Sequence, residues 1–310
     1  MSKIVALVVT YNRKKLLEEN IEALLKQENS DFDILIVDNA STDGTKELVE
    51  QYQNKERKIK YENTGANLGG AGGFHYGLKK AVELGYDYCW LMDDDTIPKP
   101  NSLSILVEKA QELENEFSYL CSYVEWTDGT PCKMNQVLAN RDWFNQSDKL
   151  HKNKILQAKS CTFVSVLINL EVTKKVGLPI RQMFIYGDDH EYTYRLSKEK
   201  PGYFVLESSV VHKMASNQGY DIVNIPKERI GRYFYDSRNR WYRARKDEFR
   251  EIVGYFYWFF TSLVRILLKA KDKKLYRMWV ILKGLGAGLF FYPKIEFVEE
   301  KKEEEKYEKV

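Results

Sequence analysis

The amino-acid sequence predicts an α/β fold in which an open, mainly parallel β-sheet is flanked by helices. Over the first hundred residues, short apolar runs rich in β-branched residues alternate with segments whose apolar residues recur at helical spacing. This alternation is typical of parallel sheets built with right-handed crossovers. Several of the apolar runs end in polar or acidic residues, and such sheets bind ligands beyond the carboxyl ends of their strands.

Each predicted element follows from a local pattern. Residues 4–9 are a β-branched run typical of a buried strand, and residues 14–27 place leucine and isoleucine at helical spacing. Residues 67–73 are rich in glycine, which favours turns, so we predict a loop there. The other predicted strands are 33–37, 59–62, 88–92, 119–126, 161–170 and 204–212, and the other predicted helices are 45–53, 74–84, 102–117 and one that follows residues 187–191.

An acidic triplet, Asp93 to Asp95, follows the predicted strand at 88–92. That strand is apolar and aromatic, and Pro98 stops the run. Three adjacent carboxylates at the end of a buried strand are costly unless a cation neutralises them. Hard divalent cations take oxygen ligands and often share them with substrate phosphates. The triplet therefore indicates a site for a metal ion and a diphosphate, and the alternative is a solvated acidic turn.

Four other places offer candidate ligands, each with a structural alternative. Asp38 follows the second strand and either binds a base or ribose or caps a helix. The glycine-rich loop lets backbone N–H groups approach a phosphate or sugar, although it matches neither common nucleotide-binding loop. Asp188, Asp189 and Glu191 begin a helix and either complement its dipole or supply a general base. His212 ends a strand and is either structural or a supplement to oxygen ligands around a metal ion.

The C-terminal third of the sequence is aromatic and basic. Residues 227–283 contain 16 Lys and Arg against 6 Asp and Glu, an excess that attracts anionic lipids or lipid diphosphates. The apolar segment 252–268 is interrupted by Arg265, so an in-plane membrane segment and a buried packing helix both fit. The predicted parts are a sheet domain at 1–225, a helical, membrane-associating region at 226–295 and a charged tail at 296–310.

Composition excludes some classes of protein. The chain has 310 residues, 44% of them hydrophobic, which suits one large domain or a domain with an appendage. The net charge of +3 is too small to indicate binding to nucleic acid. Its four cysteines lack paired CxxC spacing, and the amino terminus lacks the pattern of a secretory signal. These features predict a reduced, cytoplasmic protein.

Four motifs resemble those of the inverting family-2 glycosyltransferases, which have a Rossmann-like GT-A fold. They are VTYNR at 9–13, VDNASTDGT at 37–45, NLGGAGGF at 67–74 and WLMDDDTIP at 90–98. With the later DDxEY and 233–239 motifs, they are most similar to those of bacterial galactofuranosyltransferases and the neighbouring rhamnosyltransferases. The galactofuranosyltransferases of mycolyl-type cell walls carry an additional N-terminal domain, whereas this sequence begins at the first strand. That difference favours addition of one sugar per repeat unit over processive polymerisation.

The resemblance implies a role for each matching residue. Asp189 is implied to be the base that takes the proton of the acceptor hydroxyl in a single in-line displacement. Asp93, Asp95 and His212 are implied to hold Mn²⁺ or Mg²⁺, which stabilises the departing nucleoside diphosphate. The residues implied to contact the nucleotide, ribose, diphosphate or sugar of the donor are Thr10, Arg13, Asp38, Asn67, Gly73, Asp93 and Asp94.

The implied substrates are a nucleotide sugar and a lipid-linked saccharide in the synthesis of capsule, O-antigen or cell-wall polysaccharide. UDP-galactofuranose is the favoured donor, and dTDP-rhamnose is the alternative. We expect a peripheral protein on the inner face of the cell membrane, and homo-oligomers are compatible with the sequence. A nucleotidyltransferase would carry a GxGxR-type loop in place of VTYNR. A non-catalytic sugar-binding subunit would not need both the triplet and the distant Asp189.

Overall fold

Strands and helices alternate along the chain as the apolar periodicity predicts. The computed structural model describes residues 2–29, 31–219 and 221–298. The strands in these residues are β1 Ile4–Thr10, β2 Asp33–Asp38, β3 Ile59–Asn63, β4 Tyr88–Asp93, β5 Thr96–Pro98, β6 Tyr119–Glu125, β7 Leu138–Ala139, β8 Ile155–Ser160, β9 Val166–Asn169 and β10 Gly202–His212. The α-helices are α1 Lys14–Leu25, α2 Thr45–Gln53, α3 Gly69–Glu83, α4 Ser102–Glu112, α5 Ser147–Asn153, α6 Leu170–Val176, α7 Asp188–Glu199, α8 Tyr233–Ala244, α9 Phe249–Lys269 and α10 Lys274–Leu289.

The strands of the described residues form one mixed sheet. Their order is β3-β2-β1-β4-β9-β6-β10-β8-β7, with β5 paired to β10. The first four strands of this order are parallel, whereas β9 is antiparallel to β4 and β6. Thr10 pairs with Asp38, and Val9 pairs with Asp93, so β1, β2 and β4 end at the same edge. The predicted α/β sheet flanked by helices is confirmed.

Two apolar layers cover the two faces of the sheet. Ala6 and Val8 of β1 belong to one buried cluster, which also contains apolar residues of α1 and α4. Leu7 and Val9 belong to the other, with apolar residues of α3 and α7. Successive side chains of a strand point to opposite faces, so a strand buried on both faces needs a continuous apolar sequence. This packing fixes the sheet edge on which the polar residues lie.

The glycine-rich segment is helical where the sequence predicted a loop. α3 begins at Gly69 and not at residue 74. A Cβ atom on Gly73 would lie 2.5 Å from Cγ1 of Val9, so the missing side chain lets α3 pack directly on β1. Gly69 has a positive φ of 71°, and a Cβ there would lie 2.2 Å from the carbonyl oxygen of Phe184. The composition predicted a loop, but these glycines allow close packing within and around a helix.

The segment 161–170, predicted as one strand, is regular only in β9. Ser165 has a φ of 61°, a left-handed conformation that interrupts an extended chain. β8 precedes this segment and pairs antiparallel with β10. Its sequence, ILQAKS, alternates only partly between apolar and polar residues, so the period-2 pattern did not predict it.

The last three helices pack on one another. Tyr255, Phe259 and Ile266 lie on the buried face of α9, within an apolar cluster shared with α8 and α10. In the part of the chain that the structure describes, α9 is the one helix long and apolar enough to cross a membrane. Of its 18-residue apolar stretch, 22% is buried. The outer surface of α9 and α10 exposes large apolar side chains, and we call this surface the apolar face. Its members are Phe249, Val253, Phe256, Tyr257, Phe260, Val264, Leu267, Leu268, Leu275, Tyr276, Trp279, Leu282, Leu289 and Phe290.

The predicted charged tail begins inside a segment that is docked on the sheet domain. The carboxylate of Glu296 lies 2.7 Å from Nζ of Lys79 and 3.2 Å from Nε2 of His75. Its carbonyl oxygen accepts a hydrogen bond from the N–H of Leu178 at 2.8 Å. The docked chain therefore extends past the predicted boundary at 295, and residues 299–310 of the predicted tail lie outside the described residues.

Candidate active site

The acidic triplet lies where β4 reaches the edge of the sheet. β4 ends at Asp93, and the chain turns through Asp94 and Asp95 into β5. β5 pairs with the end of β10 so that Thr96 faces His212. Asp94, Asp95 and His212 are buried, and Asp93 is partly exposed. Backbone pairing therefore brings a histidine from a position 117 residues beyond Asp95 to the triplet.

Asp93, Asp95 and His212 form a cluster suited to a metal ion. Their ligand atoms lie within 4.8 Å of one another. Nε2 of His212 is 3.0 Å from Oδ1 of Asp95, and Nδ1 of His212 is 2.8 Å from Oδ1 of Asn135. The amide oxygen of Asn135 accepts the Nδ1 proton, which leaves Nε2 directed at the carboxylates. Two carboxylates and one imidazole leave coordination positions for water and phosphate oxygens, which fits Mn²⁺ or Mg²⁺.

The cluster carries protons that a metal ion would replace. Burial and the neighbouring Asp95 raise the pKa of Asp93 to about 7. Burial alone would lower the pKa of His212, but its hydrogen bond to Asp95 raises that pKa to about 10. Burial also opposes ionisation of Asp95, yet the bond from His212 lowers the pKa of Asp95 overall. At neutral pH, the protonated histidine and Asp95 thus form an ion pair in the metal-free cluster.

We expect metal binding to release protons and to weaken as the pH falls. A divalent ion displaces the proton of His212 and, below about pH 7, that of Asp93 as well. The affinity for Mn²⁺ should fall about tenfold for each pH unit below 8, and more steeply below 7. Calorimetric titration in buffers of different ionisation enthalpy measures the affinity and the protons released. His212→Asn should release one proton fewer, and an affinity of the wild type that does not vary with pH would contradict this prediction.

Thr10 and Arg13, both predicted to contact the donor, hold the middle carboxylate. Oγ1 of Thr10 donates to Asp94 at 2.8 Å. Nη1 of Arg13 lies 3.1 Å from Asp94 and 2.7 Å from Asp95, and the side chain of Arg13 is 47% exposed. Two side chains therefore orient Asp94, which is not part of the metal cluster. Contact of these residues with a donor stays a prediction.

The other three predicted donor contacts have partners inside the protein. Asp38 is buried and accepts hydrogen bonds from the backbone N–H three residues on, at 2.9 Å, and from the hydroxyl of Tyr61, at 2.7 Å. Asn67 accepts from the backbone N–H two residues on, at the start of α3. Gly73 is buried against β1. The N-cap of α2 is Gly44, so Asp38 does not cap that helix. The roles of all three residues in donor binding stay predictions.

Asp188 and Asp189 begin α7 close to the triplet. Burial raises the pKa of Asp188 to about 8, and the charges of Asp189 and Asp93 contribute to the shift. The segment that leads into α7 lies at this edge of the sheet, because the carbonyl oxygen of Phe184 accepts the N–H of Ala71 in α3. The carbonyl oxygen of Gly69, where α3 begins, accepts from the side-chain amide of Asn39, just after β2. Asp188 is buried and protonated at neutral pH, whereas Asp189 is partly exposed and accepts the N–H of His190 at 2.7 Å. Asp189 is therefore the member of the pair that a ligand can reach, and its role as the base stays a prediction.

Asn239 of α8 holds the segment that leads into α7. Its Nδ2 atom lies 3.0, 3.1 and 2.8 Å from the carbonyl oxygens of Met183, Ile185 and Tyr186. Phe184 and Tyr186 have positive φ values of 65° and 67°. Such conformations cost about 1–3 kcal/mol each and persist only where the surroundings hold them. Asn239 is buried and supplies these contacts, so it positions the two aspartates that follow.

Asn239→Ala should slow turnover by displacing Asp189. The substitution removes donors to three carbonyl groups, and the strained segment can then relax. We expect kcat to fall about 10- to 100-fold while the KM for the donor changes little, because the donor side is untouched. Steady-state kinetics measure both constants. Asn54→Ala on an exposed site is the matched control, and an unchanged kcat in Asn239→Ala would disprove the positioning role.

Two asparagines of this site were missed by the sequence analysis. Asn135 lies in an irregular stretch, and no pattern around it indicates a contact with His212. Asn239 was part of the resemblance at 233–239, but nothing local to it indicates a contact with carbonyl groups more than fifty residues earlier. Both contacts depend on how separate parts of the chain pack.

Comparison with known proteins agrees with this geometry. The family model described as glycosyl transferase family 2 matches residues 5–173, more than half of the chain. The chain belongs to glycosyltransferase family 2. The matched range of this glycosyltransferase contains the acidic triplet, whereas Asp189, His212 and the C-terminal helices lie beyond it.

Individual relatives of this family-2 glycosyltransferase extend the comparison. Galactofuranosyltransferase GlfT1 of Mycolicibacterium smegmatis is 26% identical over 300 residues, which cover 91% of this chain and 95% of that protein. The additional N-terminal domain expected for such enzymes is therefore wrong for this relative. The GalNAc(5)-diNAcBac-PP-undecaprenol beta-1,3-glucosyltransferase of Campylobacter jejuni is 34% identical over 113 residues, 36% of each chain. The crystal structure of GalNAc-T7 with UDP, GalNAc and Mn²⁺ has a TM-score of 0.59 at 15% identity, over 78% of this chain and 50% of that one. The structural likeness shows the GT-A fold.

In this glycosyltransferase, one edge of the sheet therefore combines two chemical capacities. The cluster of Asp93, Asp95 and His212 provides ligands for a divalent ion. Arg13 adds a fixed positive charge beside it, and Asp189, at the start of α7, offers a partly exposed carboxylate. At this edge, the cluster and Arg13 can stabilise a negatively charged group, and a carboxylate is available for a hydroxyl that loses a proton.

Proposed function

We propose that the protein is a metal-dependent, inverting galactofuranosyltransferase that moves galactofuranose from UDP-galactofuranose to a lipid-linked saccharide. The placement of Asp189 and the metal cluster at one sheet edge carries the reaction type. The similarity to GlfT1 supports UDP-galactofuranose as the donor. This similarity covers 91% of the chain and so extends well past residues 5–173, which the family model matches.

The residues of this site have separate roles in a single displacement. Asp93, Asp95 and His212 would hold Mn²⁺ or Mg²⁺, which supplies positive charge to the leaving diphosphate. Arg13 adds a second cation and orients Asp94. Asp189 takes the proton of the acceptor hydroxyl, whose oxygen forms a bond to the anomeric carbon as the bond to the diphosphate oxygen breaks. Attack from the face opposite the diphosphate inverts the anomeric centre.

A panel of nucleotide sugars tests this proposal. The full chain is incubated with Mn²⁺, octyl β-galactoside as a probe acceptor, and UDP-galactofuranose, UDP-galactopyranose or dTDP-rhamnose. We expect UDP release from UDP-galactofuranose to be at least about tenfold faster than release from its pyranose isomer. Chelation should abolish that release, and added Mn²⁺ should restore it. Preferential release of dTDP would support a rhamnosyltransferase instead, and activity that survives chelation would contradict metal dependence.

We also propose that the apolar face of α9 and α10 lies in plane on the cytoplasmic surface of the cell membrane. Large apolar side chains cover this face, and the exposed cations Lys269, Lys271, Lys273 and Lys274 follow one another where α9 gives way to α10. An apolar helical surface bordered by lysines suits a bilayer with anionic lipids. In this position, the enzyme would meet a saccharide that is anchored by a lipid.

Flotation with vesicles tests the membrane contact. The full chain should float with vesicles that contain about one third phosphatidylglycerol and should float less at high salt, because screening weakens the contribution of the lysines. The double variant Phe260→Ser, Leu268→Ser removes two exposed side chains of the apolar face and should reduce the bound fraction several-fold. Leu84→Ser, an exposed leucine on the sheet domain, is the control. Equal flotation of all three proteins would refute the proposed contact.

A further inference from the structure

A cavity of about 580 Å³ lies between the sheet domain and the C-terminal helices. Residues of α7 and β8 form one side, and residues of α8 and α9 form the other. The three residues of the metal cluster do not line it. Three carboxylates and six cationic side chains do, and the cations are Lys159, Arg195, Lys198, Arg240, Arg243 and Lys246.

Half of these cations are neutralised by carboxylates of the protein. Nζ of Lys159 lies 2.7 Å from Asp247. The guanidinium of Arg195 lies 3.0 Å from Glu191. Nε of Arg240 lies 2.8 Å from Asp236, and its guanidinium packs over the ring of Trp258. These pairs shape the walls of the cavity and leave its other cations available.

Arg243 is the cation of the cavity whose environment most requires an anion. In the ranges 2–29, 31–219 and 221–298, its guanidinium has no hydrogen bond or ion pair. It packs against Gly187, where a Cβ atom would lie 3.4 Å from Nη1. Burial lowers the pKa of Arg243, although the charge of Asp189 opposes the change. A half-buried cation that lacks an ion-pair partner in the described residues is unfavourable, and a bound anion would relieve that cost.

Two lysines add to this positive charge. Lys198 of α7 and Lys246, just after α8, are exposed and line the same cavity. Neither forms an ion pair within the portion of the chain described by the structure; Lys198 instead lies over the ring of Tyr194. The cavity therefore offers three positive charges that form no ion pair within the described residues, which suits a ligand with more than one negative charge.

The cavity also lies between the two features that a lipid-linked acceptor must reach. Arg243 is close enough to Asp189 for their charges to interact. The wall on the other side includes Gly254, Tyr255 and Trp258 of α9, the helix whose outer surface is part of the apolar face. A saccharide with its hydroxyl at Asp189 and its lipid at the apolar face would place its linking group between them.

We propose that Arg243, with Lys198 and Lys246, binds the diphosphate that links saccharide to lipid in the acceptor. The inference rests on the lipid-linked acceptor of the proposed function. A diphosphate suits the site better than a single carboxylate, because a diphosphate esterified at both ends still carries two negative charges and can pair with more than one of the three cations. A guanidinium also binds two phosphate oxygens at once, which a lysine cannot do.

Calorimetric titration of the full chain with inorganic pyrophosphate tests the site without donor or metal. Chelator is present, so that the Asp93 cluster contributes no metal-bridged binding. We expect Arg243→Gln to weaken pyrophosphate binding at least about tenfold, and Lys246→Gln, at an exposed position, to weaken it about threefold. Arg57→Gln, a substitution of an exposed arginine on the sheet domain, should leave it unchanged. Thermal melts establish that the variants are folded.

Three further titrations, with farnesyl diphosphate, UDP and acetate, identify the source of the diphosphate. Farnesyl diphosphate should bind more tightly than pyrophosphate and should lose affinity in Arg243→Gln, because its chain adds apolar contact. The proposal would be overturned if pyrophosphate bound equally well to Arg243→Gln and to the wild type, or if UDP displaced pyrophosphate. It would also be overturned if acetate bound as tightly as pyrophosphate, or if farnesyl diphosphate bound no more tightly than pyrophosphate. Because no sugar donor is present, these outcomes are independent of the donor panel. A failed donor panel with intact Arg243-dependent binding would count against the proposed function and not against the diphosphate site.

Discussion

Asp189→Asn should lower kcat by about 100- to 10,000-fold and leave the affinity for UDP nearly unchanged. The amide has the shape of the carboxylate and can still accept the N–H of His190 through its oxygen. It cannot accept a proton from an attacking hydroxyl at neutral pH. The metal cluster lies on β4, on the turn after it and on β10, whereas Asp189 lies on α7, so donor binding is not disturbed. Steady-state kinetics and calorimetric titration with UDP and Mn²⁺ separate the two effects.

Asp188→Asn is the matched control for this substitution. Because burial and the nearby carboxylates raise the pKa of Asp188 to about 8, its side chain is already neutral at pH 7. An amide in its place therefore changes the charge of the site little, and we expect a loss of activity at least about tenfold smaller than in Asp189→Asn. If Asp188→Asn were the more damaging change, the proton acceptor would be Asp188.

Asp95→Ala should abolish the contribution of metal ions to donor binding. The substitution removes one carboxylate of the three-residue cluster and leaves His212 and Arg13 without their shared partner. In the wild type, we expect Mn²⁺ to increase UDP affinity about 100-fold or more, and in Asp95→Ala the ratio of affinities with and without Mn²⁺ should approach one. Titration of UDP in the presence of Mn²⁺ or chelator gives this ratio directly.

Asp94→Asn provides the comparison within the same triplet. Asp94 is held by Thr10 and Arg13 and does not belong to the metal cluster. Its amide variant should therefore keep most of the dependence of UDP affinity on Mn²⁺. Loss of that dependence in Asp94→Asn, or its survival in Asp95→Ala, would show that the ligands are assigned to the wrong members of the triplet.

Local patterns predicted the sheet and the residues at its edge. Residues 4–9 and 88–92 could be recognised as strands because strands buried on both faces need unbroken apolar sequences. Parallel strands end at a common edge, so the triplet after β4 marked the position of the site. The resemblance to family-2 glycosyltransferases added Asp189 and His212, which local patterns alone left ambiguous between structural and functional roles.

Other features depend on residues that are distant in sequence. The glycines at the start of α3 were predicted to form a loop. Side chains are excluded there by the contacts with β1 and with the carbonyl of Phe184, which local sequence does not show. The contacts of Asn135 with His212 and of Asn239 with the segment before α7 likewise join residues that are distant in sequence. A hydrogen bond between separate segments leaves no periodic pattern in either of them.

The sequence by itself determined the apolar strands, the acidic triplet that follows one of them and the family to which its motifs belong. The order of the strands in the sheet came from the structure. Only the tertiary structure decided that Asp95 and His212 share an ion pair, that Asp188 is buried at the start of α7, and that Arg243 faces a cavity. The physical reason is that periodicity reflects burial along one segment, whereas pKa values and ligand sites depend on distances between segments.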